Sequence, residues 1–376
     1  MSRAVGRPAG PQRRSVVKAA VLKEFGSPLS VERVPDPVMG TGEVVVDVVA
    51  APVLPYAAEV FSGERRYPLT LPVTPGAGAI GVVRACGPDA TRLAPGDWVL
   101  CDPMIRARDG APAPDVTLQG LSAGGEGGLL LQRHYGHGSF AERLLIPTEN
   151  AVPLGGPIDP ADAGRWLGLT LCLVPYGGFL AGGLRPGETV LVSGATGNFG
   201  GAAVAVALAM GAARVVAPGR NEQALAGLRR RFGDRVATVR LTGDEDADRT
   251  RMIAQGPIDL VLDILPPAAG PAPVRAAAMA VREGGRVVLM GGVGMLDGAE
   301  LALPYRWLMR GNVTVRGQWM YPREAPPRLV ALARAGLLDL THFDVTEFPL
   351  DDARAAVAHA AGKPAPFHLT AIRPHP

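Results

Sequence analysis

The chain has 376 residues, more than one hydrophobic core ordinarily organises, so two domains are expected. Its formal charge of +3 is small for that length, and Lys and Arg are scattered, not gathered in one stripe, which argues against a nucleic-acid surface and for small-molecule chemistry. Three cysteines, Cys86, Cys101 and Cys172, contain no CxxC pair, so neither a disulfide framework nor a four-cysteine zinc lobe is available, and a reducing, cytoplasmic setting is expected.

Residues 1–17, MSRAVGRPAGPQRRSVV, carry four arginines and no acid. They lack the apolar stretch of a secretory signal, and Pro8 and Pro11 interrupt any amphipathic helix, so a disordered tail is expected. From Lys18 to about Leu154 the sequence reads as short β runs cut by Gly and Pro, among them "GEVVVDVVAAPV", "GVVRACG", "GDWVLC" and "GSFAERLLIP". This predicts a mostly antiparallel domain. Within it "DGAPAPDVTLQGLSAGGEGG" reads as a flexible loop. Its Gly120–Gly124 segment matches the G-x-S-x-G nucleophile elbow of hydrolases, which needs a strand before it and a helix after it. Pro112 and Pro114 upstream and "GEGG" downstream predict neither, so the hydrolase reading is set aside.

From about Trp166 buried strands alternate with helices: "ETVLVSG", an alanine-rich helix, "ARVVAPG", "NEQALAGLRRRFG", "IDLVLDIL", "PAPVRAAAMAVREGG", "RVVLMGG". Near-continuous Val, Ile and Leu separated by helices predict a parallel sheet covered on both faces. The first strand runs into G194-A-T-G197-N-F-G200-G201 and a helix of small residues. That apolar run is shorter than the roughly 18 to 20 residues of a membrane span and is closed by Arg214, so no membrane insertion is expected. Strand, glycine turn and helix in that order are the context of a dinucleotide-binding unit. Glycines let the backbone approach a pyrophosphate whose charge is met by N–H groups at the helix start. The contacts expected here are Gly194, Thr196, Gly197, Asn198, Phe199 and Gly200. Packing of helix on sheet would also favour Gly and Ala in such a turn.

The next strand ends in Gly219, Arg220 and Asn221. An enzyme using NAD usually places Asp or Glu there, on the ribose 2′-hydroxyl. Loss of the carboxylate removes the repulsion against a 2′-phosphate, and a guanidinium pairs with that phosphate in fork geometry. NADPH is therefore the expected cofactor. An arginine merely exposed at a helix start is the bland alternative.

The order of a β-rich domain, a Rossmann unit and a C-terminal return, together with "PDPVMGTGEVVVDVVAA", "RYPLTLPVTPGAGAIGVV", "GDWV" and "GSFAERLLIP", resembles the medium-chain dehydrogenase/reductase superfamily from Lys18 onward. The glycine turn resembles its zinc-free quinone oxidoreductase and enoyl reductase branch. The resemblance implies an α/β fold with a GroES-like substrate domain (18–165), a Rossmann NADPH-binding domain (166–315) and a C-terminal segment (316–376) that completes the substrate domain, with the active site between domains. A homodimer is expected, with a small-molecule substrate and neither nucleic acid nor membrane as partner.

Where zinc members carry a Cys-His-Thr-Asp type element and a Gly-His-Glu element, this chain has Leu54, Pro55, Tyr56, Ala57 and Gly76, Ala77, Gly78. Zinc needs about four N, S or O ligands, so no metal is expected. The Asn-Pro-x-Asp element of the zinc-free branch survives only as Pro55. Hydrogen-bond donors must then meet the charge that develops on the substrate. Tyr56 stands where zinc members place a hydroxyl of the proton relay, Tyr67 resembles the tyrosine of a Tyr-Pro element in enoyl reductases, and His134 follows as the third catalytic candidate. By the same resemblance Tyr135 and His137 flank the cleft near the substrate, and Trp319 and Tyr321, after the last Rossmann strand, either wall an apolar substrate pocket or pack the dimer. Ile264, Leu265, Gly291, Gly292 and Val293 follow strands whose carboxyl ends would frame the nicotinamide. The expected activity is reduction of an activated C=C bond in an enone, quinone or enoyl compound. Carbonyl or imine reduction, and a non-catalytic NADPH-binding protein, remain as alternatives, and the pocket loops do not name the substrate.

Overall fold

The computed structural model describes residues 15–295, 297–362 and 365–375. In chain order its first half contains β1 (Val16–Val21), β2 (Ser30–Pro35), β3 (Glu43–Val53), α1 (Ala57–Ser62), β4 (Ala79–Cys86), β5 (Trp98–Cys101), β6 (Met104–Arg106), β7 (Val116–Leu118), β8 (Ser122–Gly124), α2 (Gly125–Tyr135), β9 (Arg143–Pro147), β10 (Ala151–Pro153), α3 (Ala163–Trp166) and α4 (Gly168–Ala181). The second half contains β11 (Thr189–Ser193), α5 (Asn198–Ala209), β12 (Arg214–Gly219), α6 (Glu222–Phe232), β13 (Val236–Arg240), α7 (Glu245–Ile253), β14 (Leu260–Asp263), α8 (Pro271–Ala278), β15 (Arg286–Leu289), α9 (Tyr305–Arg310), β16 (Thr314–Gly317), α10 (Ala325–Arg334), β17 (Asp344–Pro349), α11 (Ala353–Gly362) and β18 (His368–Arg373).

β11 to β16 form one parallel sheet in the order β13-β12-β11-β14-β15-β16. The order turns back between β11 and β14, which is the Rossmann switch point. β14 is buried along its whole length, and α5 is apolar on nearly every side, because helices cover both faces of the sheet.

β3 is the spine of the other sheet, ordered β10-β5-β4-β3-β18-β17 with β9 also on β3. Its Glu43 end pairs with β9 and its Val53 end with β18, so the chain's return lands beside the residues that lead into α1. The fold is thus an α/β arrangement of a GroES-like sheet and a Rossmann sheet.

Several details depart from expectation. Residues 1–14 of the anticipated tail lie outside the described residues, while Val16 and Val17 already belong to β1. The Rossmann sheet takes in residues to Gly317, two beyond the expected boundary. The "DGAPAPDVTLQGLSAGGEGG" loop is not structureless. β7 pairs antiparallel with β6 and β8, and α2 starts at Gly125. A helix therefore does follow Ser122, but Ser122 sits inside β8, opposite Leu118, instead of on a strained turn, and no nucleophile elbow forms.

Candidate functional site

The cofactor-side geometry starts at the glycine turn. Gly194 adopts φ 98°, a left-handed conformation that favours glycine, and the chain doubles back so that the Gly197 N–H donates to the Gly194 carbonyl at 2.9 Å. α5 begins there with Gly197 as its cap, and its first-turn N–H groups have no intrahelical acceptors. At Gly200 a Cβ would lie 2.5 Å from Gly194 C and 2.8 Å from Ala195 Cα, so only glycine lets the helix sit this close to the turn. The cradle fits a diphosphate: backbone donors and the positive helix end converge where no side chain intrudes. Thr196 and Phe199 flank it, half-buried. Asn198 is buried, donates from Nδ2 to the His368 carbonyl at 2.5 Å, and keeps its Oδ1 without a partner among the described residues.

The corner after β12 carries Gly219, Arg220 and Asn221. A Cβ at Gly219 would overlap the Thr196 methyl group, so any side chain here requires Thr196 to shift, and the corner as packed carries no carboxylate. Arg220 is exposed, whereas Asn221 spends its Oδ1 on the Ala224 N–H at 3.0 Å as the cap of α6. Of the three, Arg220 offers a side chain for a phosphate.

The carboxyl ends of β11, β14 and β15 meet beside the turn. Ile264 N–H donates to Ser193 O at 3.0 Å and Gly292 N–H to Leu265 O at 2.8 Å, so Ile264, Leu265, Gly291, Gly292 and Val293 form one stitched rim. Beneath it lies a residue that sequence reading missed. Asp263 is buried and accepts the Ser193 hydroxyl at 2.8 Å. Burial pushes its carboxyl up to about 6, against the opposing pull of the Ser193 and Leu265 donors. An acid closing the apolar strand "IDLVLD" was the available signal.

Across the gap, Leu54 and Pro55 share the wall of a small cavity with Asn198, Thr370, His359 and His368, which brings the segment leading into α1 up to the start of α5. The Tyr56 and Tyr67 rings meet edge to face with centroids 6.4 Å apart. The Arg65 guanidinium lies 4.3 Å above the Tyr56 ring and reaches the Tyr67 hydroxyl at 3.4 Å, while Glu59 holds it from the other side at 2.8 Å. Burial, with Tyr67 nearby, raises the Tyr56 phenol far above its ordinary value, so it stays protonated. The next residue, Arg66, faces Asp297 of the loop after β15 at 3.6 Å. The tyrosine loop and the nicotinamide-side loop thus confront one another. Arg65 was not legible in sequence, because nothing local distinguishes it from Arg66.

Other expected site residues are placed elsewhere. His134 Nε2 and the Tyr135 hydroxyl, the latter at 2.9 Å, both engage the buried Glu43 carboxylate. Burial opposes ionisation of Glu43, but these two donors and the Gly40 N–H hold it below the usual carboxylate range, while burial and Glu43 push the Tyr135 phenol up to about 12. Glu43 opens β3, whereas Tyr56 lies beyond its other end, so His134 and Tyr135 clamp the strand's start instead of facing Tyr56. His137 accepts the Thr74 N–H at 3.2 Å, and burial lowers its affinity for a proton. Tyr321 is buried and donates to buried Asp102 at 2.7 Å, an internal tie between the C-terminal segment and the first domain. Its hydroxyl proton is engaged there, with Asp102. Trp319 is exposed.

At the positions where zinc ligands would stand, Ala77 is buried and Leu54 presents carbon. Cys172 is fully buried within α4, and among the described residues no three His, Cys, Asp or Glu side chains gather to hold a metal.

Two family models match in chain order: an alcohol dehydrogenase GroES-like domain over residues 40–156 and a zinc-binding dehydrogenase over residues 199–335. An alcohol dehydrogenase of Rhizobium meliloti (strain 1021) is 33% identical over 51% of this chain, an alignment that spans about half, 55%, of that relative. Acryloyl-coenzyme A reductase of Metallosphaera sedula is 29% identical over 77% of this chain and 81% of its own length. The thermostable alcohol dehydrogenase of Pyrobaculum aerophilum superposes with a TM-score of 0.72 and 25% identity, covering 96% of this chain and all of that one. Two models in the right order, a matching whole-chain fold and a glycine cradle at the switch point lead to one conclusion: the chain belongs to the medium-chain dehydrogenase/reductase superfamily, whose members are oxidoreductases that bind a nicotinamide cofactor.

Proposed function

We propose that the protein is a zinc-independent, NADPH-dependent reductase of an activated C=C bond. The observation that carries this reading is the Tyr56–Tyr67–Arg65 cluster, which directly follows Leu54 and Pro55 where they meet Asn198 at the start of α5, with a carbon side chain at Leu54 in place of a metal ligand. The Gly194–Gly200 turn and Arg220 would hold NADPH, which when bound would supply a hydride for the carbon β to the substrate carbonyl. The Tyr56 phenol would donate a hydrogen bond to the carbonyl oxygen as enolate charge builds there, and water would supply the proton that the α carbon takes up, leaving hydroxide to solvent. Arg65 keeps a positive charge over the tyrosine ring while Glu59 fixes its orientation. Gly219 and Arg220 support the choice of NADPH, and the likeness to an acryloyl-coenzyme A reductase supports a conjugated alkene. Leu54 and Ala77 support independence from zinc.

The test is a panel of enones, quinones, enoyl thioesters and aldehydes with NADPH, assayed with and without chelator, in the unmutated chain and in Tyr56→Phe. Alkene reduction that ignores chelator and falls by about 10²- to 10³-fold in Tyr56→Phe, with NADPH affinity unchanged, is expected. Turnover of aldehydes alone, or full activity in Tyr56→Phe and Tyr67→Phe together, refutes this reading.

A further inference from the structure

We propose that Arg240, at the end of β13, is a second residue that selects for the 2′-phosphate, acting both by disarming Glu222 and by offering its own guanidinium. The inference rests on the NADPH reading above. Parallel pairing sets Arg240 directly opposite Gly219, so the end of β13 lies beside the corner that carries Arg220, although the two arginines are twenty residues apart in sequence. Arg240 Nη1 donates to the Arg220 carbonyl, and its Nε donates to Glu222 Oε1 at 2.9 Å. Its Nη2 has no hydrogen-bond partner among the described residues, and the side chain is exposed.

Glu222 makes this arrangement informative. It is the sole acid from Gly219 through Phe232, and it sits in the first turn of α6, just past the strand end where a carboxylate would accept a ribose hydroxyl and repel a phosphate. Gly219 itself carries no acid, so Glu222 is the residue of this stretch that can oppose a 2′-phosphate at this corner. Arg240 holds that carboxylate in an ion pair. The corner then presents two guanidinium groups against one neutralised acid, with Arg220 and the Arg240 Nη2 both able to donate to phosphate oxygens.

The experiment measures binding, independent of turnover. NADPH and NADH affinities are determined by fluorescence titration, and adenosine 2′,5′-bisphosphate against AMP by calorimetry, for the unmutated chain, Arg240→Ala, Arg240→Gln, Glu222→Gln and Arg240→Ala/Glu222→Gln. Both Arg240 variants are expected to weaken NADPH and the bisphosphate by about 10- to 100-fold while NADH and AMP change by less than about threefold. Glu222→Gln tightens NADPH, and adding it to Arg240→Ala recovers part of the loss. Equal loss of both cofactors, unchanged NADPH affinity, or no recovery in the double variant overturns the role of Arg240. Equal NADPH and NADH affinities in the unmutated chain overturn the NADPH reading and this inference together. An undiminished preference for NADPH over NADH in the Arg240 variants overturns the inference alone.

Discussion

Gly200→Ala isolates the contribution of the glycine cradle. The new methyl would lie 2.5 Å from Gly194 C and 2.8 Å from Ala195 Cα, both backbone atoms of the turn that precedes the helix. An ordinary carbon–carbon contact is about 3.5 to 4.0 Å, so helix and turn must part by about 1 Å. Backbone cannot swing aside like a flexible side chain, and the start of α5 is also held by the Asn198 bond to His368 O and by the close approach of Gly201 to Pro366. The displaced N–H groups would each forfeit a charge-assisted bond to the diphosphate, about 1.5 to 3 kcal/mol apiece, or about 10- to 150-fold in Kd for the first one lost. The assay is NADPH titration by fluorescence, with urea unfolding in parallel. Two controls separate binding from folding. Gly197→Ala meets only Gly194 O at 3.3 Å at an ordinary φ of −92°, so it should leave stability in urea nearly unchanged and act on NADPH binding alone. Gly227→Ala, inside α6 with only Arg230 Nη2 at 3.8 Å, should stabilise the chain by about 0.5 to 1 kcal/mol. If Gly200→Ala binds NADPH within about threefold of the unmutated chain, the cradle does not hold the diphosphate and the argument fails.

Tyr321→Phe leaves buried Asp102 without its hydroxyl donor, so we expect a loss of about 1.5 to 3 kcal/mol in urea unfolding with NADPH affinity and KM unchanged; a kinetic defect without loss of stability would return Tyr321 to the substrate pocket. Burial raises the folded-state pKa of Asp263 to about 6 from the ordinary 3.8, so the folded state binds the proton more tightly and stability falls as pH rises through that interval, by about 3 kcal/mol in all. Asp263→Asn should flatten this slope in unfolding measured from pH 3.5 to 7, and an unchanged slope assigns it to another group.

The alternation of apolar strands with helices, the strand–turn–helix around Gly194 and the carbon side chains at Leu54 and Ala77 were legible in sequence, because each is a demand made locally. A buried parallel strand must be apolar throughout, and a tight turn at φ 98° must be glycine. The loop now seen as β7, β8 and the start of α2 was not legible. Its Gly and Pro content reads as a breaker, yet pairing with β6 supplies hydrogen bonds that local propensity does not reveal. Side-chain roles diverged most. His134 reaches Glu43 across 91 positions and Tyr321 reaches Asp102 across 219, so both hydroxyl or imidazole groups are consumed by partners that only the folded sheets bring near. The same physics places Arg65 above Tyr56 and Arg240 beside Arg220. Sequence alone determined the alternating strands and helices of the parallel sheet and the glycine turn where a dinucleotide can approach it. Tertiary structure decided which polar groups remain free to act there, because a buried polar group takes whatever partner packing delivers and is then unavailable for chemistry.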